Sequence, residues 1–193
     1  PLYMACLLKK AESHIENQII QGLTLRYQGC RIDNKRLIKF KRFYGLPDQD
    51  LSVPATFIHL LVFRPQLKFL LNKSLPFPVM GLVHMFNDII IHREVNLDDK
   101  LDIEICVKDF VVSKKGKELT LHTRVNCQGL LVWESFSGYL YPNKQKAMKP
   151  TKSLIQNQGA QFQFQKSWSL PSNLGRQFAL LSGDANPIHT YKL

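Results

Sequence analysis

Long apolar runs are missing from this sequence. No stretch approaches the roughly 20 consecutive apolar residues that a membrane-spanning helix requires. The short apolar run in PLYMACLLKK has no basic segment before it and no hydrophobic region long enough for a secretory signal. Pro1 suits a chain whose initiator Met has been trimmed. Cysteine is sparse too: Cys6, Cys30, Cys106 and Cys127 show neither CxxC spacing nor a neighbouring histidine cluster. That argues against a zinc site and against a disulfide framework, and it points to a cytoplasmic chain. Gly-rich nucleotide loops are absent, so no nucleotide or redox cofactor is suggested. Acidic residues are scarce, with 15 Asp and Glu against 26 Lys and Arg, a formal charge of +11.

What is present suffices for a core. Apolar residues make up 45% of the 193, which excludes wholesale disorder and allows one large domain, or a small one plus a fragment. The basic excess falls in three groups: Arg36, Lys39, Lys41 and Arg42; Lys114, Lys115 and Lys117; Lys144, Lys146, Lys149 and Lys152. These read either as solvated surface or as attraction to a phosphate-bearing or acidic partner. A nucleic-acid partner would rest on charge alone, because no helix-turn-helix, zinc finger or aromatic RNA-binding motif accompanies the lysines.

The pattern predicts a helix over about Leu2–Gln21 and a strand at Leu23–Ile32. Asp33 can cap a following helix that puts Leu37, Phe40 and Tyr44 on one face and basic residues on the other. Gly45-Leu46-Pro47 stops it. A second helix opens near Pro54 and carries Phe57, Leu60 and Leu61 inward, with Pro65 expected to break or kink it. From Gly81 the period changes to two. Leu82–Val95 reads as one strand, and Leu101, Ile103, Ile105 and Val107 alternate with polar neighbours, as do Leu119, Leu121, Thr123 and Val125. Gly129 turns the chain into a strand over Leu130–Tyr141. Such segments predict an α+β fold, an antiparallel sheet with one wet face wrapped around a central helix. Pro142–Gly159 lacks periodicity and reads as a linker, and the remainder is too short for a core of its own.

The segment with the most chemistry is Ser182-Gly183-Asp184-Ala185-Asn186-Pro187-Ile188-His189. Asn186 reads as an N-cap and Pro187 as the first helical position. His189 then falls in the first turn, where the helix dipole disfavours imidazolium and leaves a neutral base. Asp184 precedes the cap and can fold towards His189, with Gly183 freeing the backbone beside it. A carboxylate and an imidazole converging on one point can hold and activate a water. The plainer alternative is a capped helix with an incidental histidine. His59, His84, His92 and His122 read as structural or surface residues, and Asp88 has no partner in sight. Phe77, Met80 and Phe86 read as core or pocket lining.

The octapeptide resembles the Ser-Gly-Asp-x-Asn-Pro-hydrophobic-His signature of MaoC-like dehydratases, the (R)-specific enoyl-CoA hydratase family, and every defining position matches. Arg176-Gln177-Phe178-Ala179-Leu180-Leu181 looks like the family's approach to it. The resemblance implies a hot-dog fold, of the type with two units in one chain. Residues 1–142 would be an N-terminal unit that supplies an acyl pocket, 143–160 a linker, and 161–193 the beginning of the catalytic unit. It implies a lyase that reversibly hydrates trans-2-enoyl thioesters to (R)-3-hydroxyacyl thioesters without metal or redox cofactor. Asp184 and His189 would be catalytic, with Asn186, Ser182 and Gly183 positioning them. The backbone donors that the family draws from a downstream His-Gly segment would fall past Leu193. The implied partner is an acyl-CoA or acyl carrier protein thioester, with neither nucleic acid nor membrane, and a homodimer as the assembly. The competing expectation is a thioester-binding or scaffolding module that keeps the fold without turnover.

Overall fold

The structure, a computed structural model, describes residues 5–6, 8–9, 17–143, 166–167 and 169–183. Its helices are α1 (Asn17–Gln21), α2 (Asn34–Phe43), α3 (Ala55–Leu70) and α4 (Leu174–Ser182). Its strands are β1 (Thr24–Arg31), β2 (Ser52–Val53), β3 (Val83–Ile91), β4 (Val95–Asn96), β5 (Lys100–Val112), β6 (Gly116–Cys127) and β7 (Leu130–Pro142).

Period-two patterning builds the main sheet. Its order is β1-β5-β6-β7-β3, with every neighbouring pair antiparallel. In β5 and β6 the alternate residues Leu101, Ile103, Ile105, Leu119, Leu121 and Val125 are buried, and they meet in register, Ile103 opposite Val125 and Ile105 opposite Thr123. Two tight turns hold this meander. Ser113 and Gly116 exchange backbone hydrogen bonds at one. At the other, Gln128 and Gly129 both take positive φ, 52° and 80°, the twist that two-residue hairpins favour.

Helix α3 lies against the dry face of the sheet and shares one core with it. Phe57, Ile58, Leu60 and Val62 are buried along it, and Gln66 reaches Thr123 on β6 and Ser137 on β7. This is the helix-in-sheet arrangement predicted from the pattern. Helix α2 packs beside it through Leu37 and Phe40, the Phe40 ring standing edge-on to Phe57 at 5.3 Å. Asp33 caps α2 as expected, its carboxylate accepting from the backbone N–H of Lys35 at 2.9 Å and of Arg36 at 3.3 Å. The helix ends where Gly45 turns to φ 66° and Leu46 N–H closes back on the Lys41 carbonyl. Helix α4 docks on α2, with the Phe178 and Phe43 rings 6.2 Å apart and Phe178 and Leu181 resting on the core. Among the described residues no helix is long and apolar enough to cross a membrane.

Four expectations need correction. Pro65 does not break α3, which runs on as one element to Leu70. Proline inside a helix costs about 3 kcal/mol, whereas burying Leu67, Phe69 and Leu70 returns about 1.5–3 kcal/mol each. The strand expected over Leu82–Val95 is two: β3 stops at Ile91, and Val95–Asn96 pairs with Ser52–Val53 in a separate two-stranded sheet. Consecutive N–H groups of His92 and Arg93 both donate to the Val132 carbonyl, which breaks the ladder there. Lys41 does not belong to the wet face of α2. It stands one turn beyond Leu37, is buried, and donates through Nζ to the Asp50 carbonyl. Met80 and Phe86 are exposed, and of that trio Phe77 alone is core, stacked near Tyr141 and Phe110. The predicted first helix is described at its end, Asn17–Gln21, and residues 10–16 lie outside the described residues.

Candidate active site

Of the octapeptide, the structure describes its first two residues. Asp184, Asn186 and His189 lie outside the described residues. Ser182 is the last residue of α4, buried, with its hydroxyl donating to the Phe178 carbonyl at 2.8 Å. Gly183 follows in the left-handed region, φ 76°, and its N–H donates to the Ala179 carbonyl at 2.9 Å, capping the helix. A Cβ at Gly183 would meet nothing within 4 Å, so glycine serves the backbone angle here and not a tight fit. Asp184 is therefore the next residue after a defined helix end.

That end is tied to α2. Arg36 donates from Nη2 to the Ser182 carbonyl at 3.0 Å and to the Leu60 carbonyl at 3.4 Å, bridging α4 and α3. Burial, then the nearby Arg64 cation, lower its pKa, and the Asp33 carboxylate opposes both. Beside it opens a cleft of about 520 Å³, lined by Asp33, Lys35, Arg36 and Lys39 of the α2 start, Arg64 of α3, and Leu180, Leu181, Ser182 and Gly183. The sequence singled out Arg36 and Lys39 as basic. Arg64 gave no signal, because it joins the others only through the crossing of α3 under α2.

The interior between α3 and the sheet contains a polar seam. Gln66 Nε2 donates to Thr123 Oγ1 at 2.9 Å, Ser137 Oγ donates to Asn87 Oδ1 at 2.8 Å, and Asn87 Nδ2 lies 3.4 Å from His59 Nδ1. Burial, and secondarily His84, hold the His59 imidazole below its ordinary pKa. Gln66 Oε1, Trp133 Nε1 and Ser135 Oγ are buried there without a hydrogen-bond partner among the described residues. His92 and His122 both bind Glu134, at 2.9 and 2.6 Å, and His122 stacks on Phe136. His84 stacks on Tyr139, and Asp88 is exposed. His84, His92 and His122 thus make these contacts with residues of the sheet. Among the described residues no group of three or more His, Cys, Asp or Glu is placed to hold a metal.

No protein-family model matches the chain. It is similar to 3-hydroxyacyl-thioester dehydratase X of Mycobacterium tuberculosis, with 22% identity over 152 residues, 72% of this chain and 50% of that protein. The chain thus spans about half the length of the curated relative it matches. The crystal structure of that dehydratase, HtdX, superposes with a TM-score of 0.68 at 20% identity, over 86% of this chain and 64% of the other. A MaoC-like dehydratase from Phytophthora capsici gives a TM-score of 0.64 at 17% identity, over 91% and 66%. The described sheet and helix are a hot-dog fold.

Proposed function

We propose that the chain belongs to a MaoC-like double hot-dog hydratase acting on acyl thioesters. Residues 1–142 form its first unit, 143–160 the linker and 161–193 the start of the catalytic unit. The observation that carries this reading is the complete octapeptide Ser182–His189, which begins at the last residue of a helix docked on a hot-dog unit. The similarity to a 3-hydroxyacyl-thioester dehydratase supports it. The substrate is a trans-2-enoyl thioester of coenzyme A or of an acyl carrier protein. The compartment is the cytoplasm and the assembly a homodimer.

In this mechanism Asp184 and His189 hold one water. As its oxygen bonds to C3, the pair takes one proton from it, and a proton is delivered to C2. The double bond is consumed and an (R)-3-hydroxyacyl thioester results; elimination is the same path reversed. Charge building on the thioester oxygen requires backbone donors. Asn186 positions the dyad, and the Ser182–Gly183 helix end sets where the segment leaves the first unit. Asp184→Asn keeps the shape and removes the charge, whereas His189→Ala removes the base. In a polypeptide with both units present, each change should lower crotonyl-thioester hydration by about 10²–10⁴-fold. The double mutant should be little worse than either single, because both act on one water. Near-normal turnover in either single mutant would sink the dyad.

A further inference from the structure

Helix α4 meets the first unit mainly through apolar contact. Ala179 is buried, Phe178 and Leu181 rest on the core, and the Phe178 ring lies 6.2 Å from that of Phe43. Such contact is non-directional, so by itself it lets a helix slide or roll by a fraction of a turn. A hydrogen bond does not, because it weakens steeply once its distance and angle leave their preferred range. Among the described residues, the hydrogen bond that joins α4 to the first unit runs from Arg36 Nη2 to the Ser182 carbonyl, 3.0 Å long. It falls at the last residue of the helix. There the carbonyls have no intrahelical donor, and the helix dipole favours a cation.

Arg36 is itself anchored. Its backbone N–H is held by the Asp33 cap at 3.3 Å, and its half-buried side chain reaches the Leu60 carbonyl of α3 at 3.4 Å with the same Nη2. Leu60 stands beside a weak point of α3, since Pro65 has no N–H to give to the Leu61 carbonyl four residues earlier. One guanidinium thus ties the start of α2 and the middle of α3 to the end of α4. Gly183 follows Ser182 at φ 76°, with its N–H closed on the Ala179 carbonyl. Asp184 comes next, across one planar peptide unit, so a displacement of Ser182 is carried into the segment that begins there.

We propose that Arg36 is a positioning residue for the hydration: it fixes where α4 ends, and so the place from which the Asp184 segment sets out, without touching substrate. The role in turnover rests on the hydratase reading; the tether rests on the carbonyls of Ser182 and Leu60. A residue that acts in this way lowers kcat and leaves KM nearly untouched, because a misplaced catalytic group costs rate rather than affinity. A residue that binds the thioester does the reverse, and its loss raises KM at unchanged kcat.

Two variants test this in the polypeptide with both units present. Arg36→Met keeps an unbranched stem for packing and removes every donor, whereas Arg36→Lys returns a cation with N–H groups. With crotonyl-coenzyme A, Arg36→Met should lower kcat by about tenfold to a hundredfold and leave KM within about twofold. Arg36→Lys should recover part of that loss. Amide hydrogen exchange on the same proteins follows the tether without any reaction. Exchange at the Gly183 N–H, which closes α4 on the Ala179 carbonyl, should quicken about tenfold in Arg36→Met, while the amides of β6 exchange as before. Unchanged kcat in Arg36→Met, or a raised KM with kcat intact, overturns the positioning role. No quickening at Gly183 overturns the tether. Equal quickening across β6 overturns it too, because Arg36 would then support the whole unit and not the joint. The reaction is judged separately. If the unaltered protein hydrates no enoyl thioester while Gly183 exchange still depends on Arg36, the tether stands, and the hydratase reading falls together with the role in turnover.

Discussion

His59 is where a single side chain reports on the interior. Its imidazole faces Asn87 across the seam between α3 and β3, and burial lowers its pKa. As the pH falls, the unfolded chain therefore takes up this proton first. The stability it contributes is complete above the ordinary imidazole value of about 6.5 and declines as the pH drops through that value towards the lower folded one. Urea-unfolding midpoints at pH 7.5 and 5.5 should fall more for the unaltered protein than for His59→Gln, and equal falls would place the proton elsewhere. Glu104 and Glu134 also titrate, but Glu104 is held below the ordinary carboxylate value chiefly by its Arg26 hydrogen bond. In Glu134 burial, which raises the pKa, is outweighed by the His122 and His92 hydrogen bonds and charges together, so the effect of both comes at more acidic pH. At this scale the sequence is legible where a role is local. Asp33 announces its cap by type and position. Lys41 does not announce its burial, because its partner carbonyl belongs to Asp50 on the loop after α2. Arg64 is silent for the same reason: the cleft it lines is made by three elements distant in sequence.

Elements were legible as far as their pattern was their own. The alternation in β5 and β6 predicts both their strand nature and their buried face, and α3 follows from its apolar residues. What neighbours decide was not legible, namely the split of β3 from β4 and the passage of α3 through Pro65. The β5–β6 turn offers a sharp test. Gly116 sits at φ 147°, and a Cβ there would lie 2.1 Å from the Tyr141 carbonyl oxygen and 2.9 Å from Pro142 Cα. Both obstacles are backbone of β7, paired in register with this turn, so neither can swing aside as a side chain could. Gly116→Ala combines a strained angle with a forced shift of β7 and should cost more than about 2 kcal/mol. Denaturant unfolding would show it as a lowered midpoint, and an unchanged midpoint would mean that the hairpin has room to spare.

Across the whole molecule, the fold positions one end of α4. The sheet buries α3, α3 supports α2, and α2 holds α4 through Phe43, Phe178 and the Arg36 bond to Ser182. The fold class could be read from period and turns, and the proposed reaction rests on the octapeptide, because both are written in contiguous residues. The basic cleft could not, because it exists only once α2, α3 and α4 are assembled. The central claim is the proposed reaction itself. The most direct measurement is product analysis after incubating crotonyl-coenzyme A with the protein, both units present, and resolving the 3-hydroxybutyryl thioester by chiral chromatography. The account predicts the (R) product, formed in proportion to enzyme and lost in Asp184→Asn. Formation of the (S) product, or no product from a folded protein that binds the thioester, would contradict it.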